Sequence, residues 1–316
     1  MRRILLVKTS SLGDVVHNLP VVSDLRRAFP GLTIDWVAEE SFAGIPQLHA
    51  GVNAVIPVAM RRWRHALFDS NTRAEMRAFY AQLRSSSYDA VIDTQGLLKS
   101  ALIACAARGK SHGPDWHSSR EPLRFFYDRT FRVPWTQHAV ERNRSLAAQA
   151  LGFQPGELNY GISAPARTFD WLPAQRHAVL LHATSFDRKL WLEADWVNVC
   201  KYLIINNIIC VLPWGNDAER ARGERLRAQV PGAIVTPRLS LDDAASLLSG
   251  ASVVLGVDTG LAHLAAALGT PTIGIYCATD PAATGLYGSA RAVNLGGAGT
   301  PPSANEVCAA VERFIS

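Results

Sequence analysis

The chain lacks long hydrophobic runs and has few cysteines. No 18 consecutive apolar residues occur among its 316, so we expect no membrane-spanning helix. The apolar run Ile4–Val7 ends at Lys8, short of the length that the hydrophobic region of a signal peptide needs. Five scattered cysteines, an odd number, argue against a disulfide framework and favour a reducing compartment. These absences predict a cytoplasmic protein.

Several motifs that mark cofactor and metal sites are also missing. The chain has neither G-x-G-x-x-G nor the Walker lysine motif, so the usual fingerprints of NAD and ATP sites are absent. It also lacks Asp-x-Asp, His-Glu-x-x-His and Cys-x-x-Cys. We therefore expect no metal and no cofactor.

Acidic residues are outnumbered in the first half of the chain only. Residues 1–150 carry 20 Lys+Arg against 13 Asp+Glu, whereas residues 151–316 carry 12 against 14. Arginine exceeds lysine 17 to 3 in the first half, and guanidinium groups pair well with phosphate and carboxylate. The partner of this half is expected to be anionic: nucleic acid, a membrane surface or an acidic substrate. No nucleic-acid-binding signature is present, so nucleic acid is not favoured.

Short apolar runs alternate with helical patterns along the chain, which predicts parallel sheets with crossover helices. The predicted strands are Arg3–Lys8, Thr33–Ala38, Ala54–Val58, Ala90–Asp93, Ala178–His182, Ile208–Leu212, Val253–Val257 and Thr272–Tyr276. The predicted helices are Leu19–Phe29 (kinked or broken at Pro20), Asn71–Arg84, Leu97–Ala107, Glu193–Asn206, Asp217–Gln229, Leu241–Gly250, Gly260–Leu268 and Ala304–Phe314.

The alternation stops between Leu151 and Arg176, a stretch rich in glycine, proline and asparagine that we interpret as a linker. The predicted fold class is α/β, with two Rossmann-like doubly wound parallel-sheet domains facing a cleft, residues 1–160 and 161–316. The last helix can pack on either domain.

Ligands of such sheets gather at the carboxyl ends of the strands, so the loops there are the candidate sites. The first, Lys8–Asp14, leads into a helix. Asp14 is either a helix-capping residue or a general base that deprotonates an acceptor hydroxyl, and the sequence leaves both open.

A second loop, Val257–His263, runs from a strand through Asp-Thr-Gly into a helix. Backbone N–H groups at that helix start, with the Thr259 hydroxyl, suit a diphosphate. His263 is either a ligand contact or a packing histidine.

A third loop, His182–Trp191, carries hydroxyls and a cation after another strand. Lys189 can neutralise a departing diphosphate or be an ordinary surface lysine. Leu212–Gly215 can wall a nucleotide base, and Glu219 can contact ribose or lie on a solvated helix.

Basic residues cluster in Arg61–His65 and in six arginines between Arg120 and Arg144. They form either an anion-binding surface or a solvated face.

Three fragments in particular, Lys8-Thr-Ser-Ser-Leu-Gly-Asp14, Leu212-Pro-Trp-Gly215 and Val257-Asp-Thr-Gly-Leu-Ala-His263, resemble the lipopolysaccharide heptosyltransferases of glycosyltransferase family 9. The resemblance extends over nearly the whole chain. Arg61-Arg-Trp-Arg64, Ala90–Gly96 and Ser119–Pro122 are similar to the members that act on Kdo-lipid A.

This resemblance implies a GT-B fold and an inverting, metal-independent transfer from ADP-L-glycero-D-manno-heptose to Kdo-lipid A. It implies catalytic roles for Asp14, as general base, and for Lys189. The residues that it places at the donor are Thr184, Ser185, Lys189, Glu219, Leu239, Asp258, Thr259, Gly260 and His263. Those that it places at the acidic acceptor are Ser10, Ser11, Arg61, Arg62, Arg64, Gln95, Lys99, Arg120 and His138. It also implies a cytoplasmic enzyme held peripherally at the acidic inner leaflet.

Two positions depart from the family pattern. Ser185 stands where a second threonine is common, and Cys277-Ala278 stands where Gly-Pro is usual. Three alternatives remain: a heptosyltransferase for an already heptosylated core, a Rossmann-type epimerase or dehydrogenase, and a non-catalytic anion-binding protein.

Overall fold

The computed structural model describes residues 1–315, which form two compact α/β units. The first unit spans Met1–Ile162 and the second begins at Ser163. The stretch between Gly152 and Arg176 contains no helix and no strand of either sheet.

The first unit contains six parallel strands in the order β3-β2-β1-β4-β5-β6. Its strands are β1 Arg3–Val7, β2 Thr33–Glu39, β3 Ala54–Val58, β4 Ala90–Asp93, β5 Ser111–Pro114 and β6 Arg129–Phe131. Its helices are α1 Leu12–Val16, α2 Leu19–Ala28, α3 Gly44–Gln47, α4 Met60–Trp63, α5 Ser70–Leu83, α6 Leu98–Ala106 and α7 Ala139–Leu151. Pro20 lies in the first turn of α2, where its missing N–H costs no helical hydrogen bond, so the break precedes a new helix.

The second unit also contains six parallel strands, in the order β12-β11-β10-β7-β8-β9. Its strands are β7 His177–Leu181, β8 Ile209–Leu212, β9 Ile234–Val235, β10 Val253–Val257, β11 Thr272–Tyr276 and β12 Ala292–Gly296. Its helices are α8 Glu193–Ile205, α9 Asp217–Gln229, α10 Leu241–Ser249, α11 Gly260–Ala267, α12 Pro281–Thr284 and α13 Ala304–Ile315. The last helix, whose position the sequence left open, packs against α8 and the sheet of this unit.

Each unit has its own hydrophobic core. In the first, Leu5, Val7 and Val91 of the sheet pack with Phe79 of α5 and Ile103 of α6. In the second, strand residues pack with α8 and α13, among them Leu180, Leu255, Ile273, Trp196 and Val307. Burying one such side chain contributes about 1.5–3 kcal/mol, so each sheet is a rigid platform for the loops at its edge.

The strand order places a topological switch point beside β1 and β4 in the first unit and beside β7 and β10 in the second. At such a point adjacent strands lead to loops that diverge and leave a crevice at the carboxyl edge. Of the three loops that the sequence singles out, Lys8–Asp14 therefore flanks the switch point of the first unit, and Val257–His263 and His182–Trp191 flank that of the second. Within residues 1–315, no helix has the length and hydropathy needed to traverse a bilayer.

Candidate active site

Three side chains of the second unit converge on the carboxylate of Asp258, which follows β10. Lys189 Nζ lies 2.7 Å from Oδ2, and the Thr279 hydroxyl donates to the same oxygen at 2.8 Å. His263 Nε2 lies 3.8 Å from Oδ1. These residues come from the loops after β7 and β11 and from the first turn of α11. We call them, together with Asp258, the Asp258 cluster.

Asp258 is strongly stabilised in its ionised form. Burial by itself would raise its pKa, but the nearby His263, the hydrogen bonds from Lys189 and Thr279 and the charge of Lys189 outweigh burial. They hold the pKa of the Asp258 carboxyl well below its usual range. Because that negative charge balances Lys189, an anionic ligand here must also be held by other donors.

Such donors are present where α11 begins, directly after Asp258. The N-cap Thr259 has an extended backbone, and its side chain makes no capping hydrogen bond. The first N–H groups of a helix have no intrahelical acceptor and carry partial positive charge, which suits a phosphate group. The N-terminus of α11, at Gly260, is therefore a candidate diphosphate site.

The loop after β7 is hydrogen-bonded to the loop that carries Asp258. Thr184 donates its hydroxyl to the backbone carbonyl of Asp258 at 3.0 Å, which links the two loops that flank the switch point. Ser185 is exposed beside it. Six of the nine predicted donor residues thus lie in one group: Thr184, Lys189, Asp258, Thr259, Gly260 and His263.

The loops after β8 and β9 form a neighbouring wall. Trp214 Nε1 donates to the backbone carbonyl of Thr236 at 2.7 Å, so the indole is held between the two loops. Leu239 is half-buried and lies immediately before the N-cap of α10. A half-buried aromatic ring and an aliphatic side chain are suitable for packing against a planar base.

Glu219 stabilises the start of α9. Its carboxylate accepts hydrogen bonds from the Gly215 amide at 2.7 Å and from Asn216 Nδ2 at 2.9 Å. A carboxylate has about four acceptor positions, so this arrangement leaves room for ribose hydroxyls.

In the first unit, Asp14 takes part in a capping box at the start of α1. Its Oδ2 accepts hydrogen bonds from the backbone N–H of Ser11 at 2.7 Å and from the Ser11 hydroxyl at 3.0 Å. The capping interpretation is therefore realised in the structure. The interpretation as a general base remains open as well, because Oδ1 has no hydrogen-bond partner within residues 1–315. A fixed carboxylate with one open oxygen can still accept a proton.

The loop after β4 meets the loop after β1. Gln95 Oε1 accepts hydrogen bonds from the backbone N–H groups of Thr9 and Ser10, both at 3.1 Å. Lys99 Nζ donates to the Ser10 hydroxyl at 2.9 Å. The structure thus brings Ser10, Gln95 and Lys99 together next to the segment that carries Asp14.

A buried network supports these two loops. Asp93 accepts hydrogen bonds from the backbone N–H groups of Gln95 and Gly96 at 2.8 and 3.1 Å, and from the Tyr127 hydroxyl at 2.7 Å. Burial raises the pKa of Asp93, whereas these donors oppose the rise. Lys8 Nζ donates to the Thr94 carbonyl at 2.9 Å, and burial lowers its pKa.

The four predicted acceptor arginines all follow carboxyl ends of strands, but their surroundings differ. Arg62 is held between Glu40 at 3.1 Å and Glu75 at 2.8 Å. Arg61 lies over the Phe42 ring, and Arg64 donates to His65. No ion pair joins Arg61, Arg64 or Arg120 to a carboxylate in the part of the chain that the structure describes, which leaves these charges open to an anionic ligand.

Arg120 is exposed and shares the ring of Trp135 with Arg142. Their guanidinium carbons lie 5.5 and 3.5 Å from the ring centroid. Burial and, as the smaller cause, the charge of Arg120 together lower the pKa of Arg142 to about 10. Two cations close to one aromatic ring create a site of positive potential.

His138 is buried and serves as the N-cap of α7, where its Nδ1 accepts from the Val140 amide at 3.2 Å. Its ring also contacts that of His17 edge-on, with centroids 5.3 Å apart. The structure thus places this predicted acceptor residue at a helix N-cap, with one ring nitrogen already occupied.

Three residues of these networks were not predicted from the sequence: Thr279, Asp93 and Tyr127. Thr279 follows β11, the strand next to β10, so the strand-end rule applied to one more strand finds it. Asp93 ends β4 and could have been found in the same way. Tyr127 reaches Asp93 from 34 positions away, and no local pattern marks it.

No group of three or more metal-ligating side chains is found within residues 1–315. The chain therefore offers no preformed metal site in its described part.

Known proteins resemble this chain in sequence and in fold. The family model "Glycosyltransferase family 9 (heptosyltransferase)" matches residues 76–311. Lipopolysaccharide heptosyltransferase 1 of Escherichia coli K12 is 46% identical over 295 residues, which cover 92% of each chain.

Two solved structures are similar over almost the whole length. The E. coli heptosyltransferase WaaC with ADP has a TM-score of 0.91 and 42% identity, covering 99% of each chain. The same enzyme with ADP-2-deoxy-2-fluoro heptose has a TM-score of 0.85 and 42% identity, covering 99% of this chain and 98% of that one. The two Rossmann-like units thus form a GT-B-like fold.

Proposed function

This chain belongs to glycosyltransferase family 9, the heptosyltransferases, and on that basis we propose that it transfers L-glycero-D-manno-heptose from ADP-heptose to the Kdo of Kdo-lipid A. The observation that carries the proposal is the Asp258 cluster beside the N-terminus of α11. The cluster and the helix start supply fixed hydrogen-bond donors for a diphosphate, and they include the motif Val257–His263 by which the chain resembles the family.

The donor is proposed to bind on the second unit. Its diphosphate lies at the N-terminus of α11, within reach of His263 and Lys189, and its adenosine lies against the wall formed by Trp214 and Leu239. The similarity to the structure of E. coli heptosyltransferase WaaC with ADP-2-deoxy-2-fluoro heptose supports an ADP-sugar as the donor. Preorganised donors at the diphosphate lower the free energy of the transition state because its negative charge grows as the sugar leaves.

The reaction is proposed to be a single inverting displacement without a metal. Asp14 Oδ1 takes the proton of the acceptor hydroxyl while that oxygen attacks the anomeric carbon from the face opposite ADP. The Ser11 hydrogen bonds to Oδ2 keep the carboxylate in one orientation. Lys189 and the α11 N–H groups stabilise the departing diphosphate.

The acceptor is proposed to bind on the first unit. Kdo carboxylates and lipid A phosphates are anionic, and this unit carries the basic excess of the chain. Arg61, Arg64 and Arg120 have no carboxylate partner in the described residues and can pair with such groups. Because lipid A is anchored in a bilayer, the enzyme works peripherally at the acidic inner leaflet.

The deciding experiment measures ADP release from ADP-heptose with Kdo-lipid A and, in parallel, with the same acceptor already carrying one heptose. Turnover on Kdo-lipid A alone is expected. Turnover on the heptosylated acceptor alone would make the enzyme a later heptosyltransferase with the same fold. No turnover on either acceptor, with ADP bound, would contradict the proposed transfer.

A further inference from the structure

A groove lies on the surface of the first unit between α5 and α6, outside the candidate site. Its floor is apolar and its margins are basic. We call it the α5–α6 face; it is lined by Arg73, Met76, Arg77, Tyr80, Ala81, Arg84, Leu102 and Ala106.

The arginines of this face have no acidic partners. Arg77 makes no hydrogen bond, ion pair or ring contact within residues 1–315. Arg73 and Arg84 donate only to backbone carbonyls, those of Leu67 and Ala106. Arg73 and Arg77 are four residues apart on one helix face, and like charges at that spacing destabilise a helix slightly. Helix stability therefore does not explain why arginines occupy this face.

The two carboxylates of α5 and its N-cap are already engaged elsewhere. Asp69 caps α5 by accepting from the Thr72 amide at 2.8 Å. Glu75 accepts from Arg62 and from Trp63 Nε1, both at 2.8 Å. Neither acid neutralises the α5–α6 face, which leaves a positive surface exposed to solvent.

Three exposed apolar side chains lie on or beside the elements that line the groove. Phe68, 88% exposed, lies before α5, and the Arg73 guanidinium lies 5.8 Å from its ring centroid. Leu102 on α6 is 47% exposed. Phe125, 92% exposed, lies on a short turn that contacts α6. Exposed aromatic and aliphatic groups next to cations are typical of surfaces that enter the interface of a bilayer.

We propose that the α5–α6 face docks on an anionic phospholipid bilayer. The arginines bind lipid phosphates, and Phe68, Leu102 and Phe125 insert among the upper acyl carbons. Arginine side chains can lay their stems on the apolar floor while their charges stay at headgroup level. An amphipathic surface with this charge pattern matches an anionic bilayer better than a soluble anion, which would not use the exposed rings.

The position of the face is consistent with the proposed acceptor. Phe68 follows Arg64 by four residues, and both α5 and α6 begin near the carboxyl edge of the first sheet. A bilayer on the α5–α6 face therefore lies next to the arginines proposed to bind the lipid-linked acceptor. The biological purpose of this docking rests on the proposed function. Docking itself does not, because it needs no acceptor.

The test is sedimentation with phosphatidylcholine vesicles, with and without phosphatidylglycerol, in the absence of donor and acceptor. The full chain is expected to bind the anionic vesicles and to be released by salt. Each arginine near such a surface contributes about fivefold to partitioning, so Arg73→Gln with Arg77→Gln should weaken binding about 25-fold. Phe68→Ser with Leu102→Ser should weaken binding while keeping its salt dependence.

Matched controls come from the second unit: Arg291→Gln with Arg313→Gln, and Ile205→Ser, all at exposed positions. They should bind as the unchanged chain does. Equal losses in the controls, or no loss in the α5–α6 variants, would refute the proposal. Turnover on a deacylated soluble acceptor should be unchanged in the α5–α6 variants, so a failure of docking and a failure of the transfer reaction are told apart.

Discussion

Asp14 combines a structural role with a proposed chemical role. Oδ2 caps α1 through Ser11, and Oδ1 is open. In Asp14→Asn the side-chain oxygen can still cap the helix, but the amide cannot take a proton. Turnover should therefore fall roughly 10²–10⁴-fold with ADP affinity unchanged, as measured by steady-state kinetics and calorimetry.

Glu306→Gln provides the matched control, because Glu306 caps α13 through Ser303 in the same way. It should lose only the small stability of a cap and keep full turnover. Activity of Asp14→Asn within tenfold of the unchanged enzyme would exclude a general-base role.

Asp258 makes folding of the second unit depend on pH. Its pKa is depressed in the folded state, so its ionised form adds stability at pH values above its unfolded pKa, about 3.9, and this stability is lost as pH falls toward the folded pKa. The difference in free energy of unfolding between the unchanged chain and Asp258→Asn should be largest near pH 7. It should narrow as the pH falls below about 4 in urea titrations; a difference that stays constant down to about pH 2 would contradict the depressed pKa.

At the scale of elements, the loop after β4 depends on the buried carboxylate of Asp93. Tyr127→Phe removes one of its donors, and an under-satisfied buried acceptor costs about 1–3 kcal/mol. Urea unfolding should show this loss. Because Gln95 and the loop after β1 are positioned by the same network, the KM for the acceptor should rise while ADP affinity stays the same.

Tyr80→Phe is a suitable control for that variant, since Tyr80 is a half-buried tyrosine of the first unit whose hydroxyl makes no hydrogen bond in the described residues. It should leave both unfolding and the acceptor KM unchanged. If Tyr127→Phe raises the KM for the donor instead, the loop after β4 does not position the acceptor.

Elements with strong local patterns could be predicted from the sequence, and those without could not. The predicted strand Val253–Val257 and helix Asp217–Gln229 have the bounds that the structure shows, because a continuous apolar run and a polar helical pattern mark them. The strand β5 has the sequence Ser-His-Gly-Pro, and β9 has two residues, so sheet pairing alone defines them. The helix α7 was missed because its charged first half looked like part of a basic loop.

The same distinction applies to the site. Asp258, Thr259 and Lys189 were predicted because they follow strand ends. Their partner Thr279 follows the end of β11 and can be found by the same rule, whereas Tyr127, which holds Asp93, carries no local signal. For Glu219 and Arg62 the sequence could not show their partners. Both were predicted to contact substrates, but their charged groups already have partners within the structure.

At the scale of the whole molecule, each unit should bind one of the two substrates. Arg64→Gln with Arg120→Gln removes unpaired cations from the first unit, so the acceptor KM should rise about tenfold or more with ADP affinity unchanged, since hydrogen bonds between charged groups contribute about 1.5–3 kcal/mol. Lys189→Met in the second unit should do the reverse. Calorimetry with ADP and kinetics with varied acceptor measure the two effects, and loss of ADP binding in the arginine variants would contradict the division.

Both units have the same strand order when each is read from its own first strand. As a result, an Asp-Thr pair stands at the end of the fourth strand in each half, Asp93-Thr94 in one and Asp258-Thr259 in the other. In the first half the aspartate is sealed under a tyrosine, whereas in the second it faces a lysine and a histidine in an open loop. The same position thus has a different environment in each unit, so exchanging the two loops should not exchange their properties.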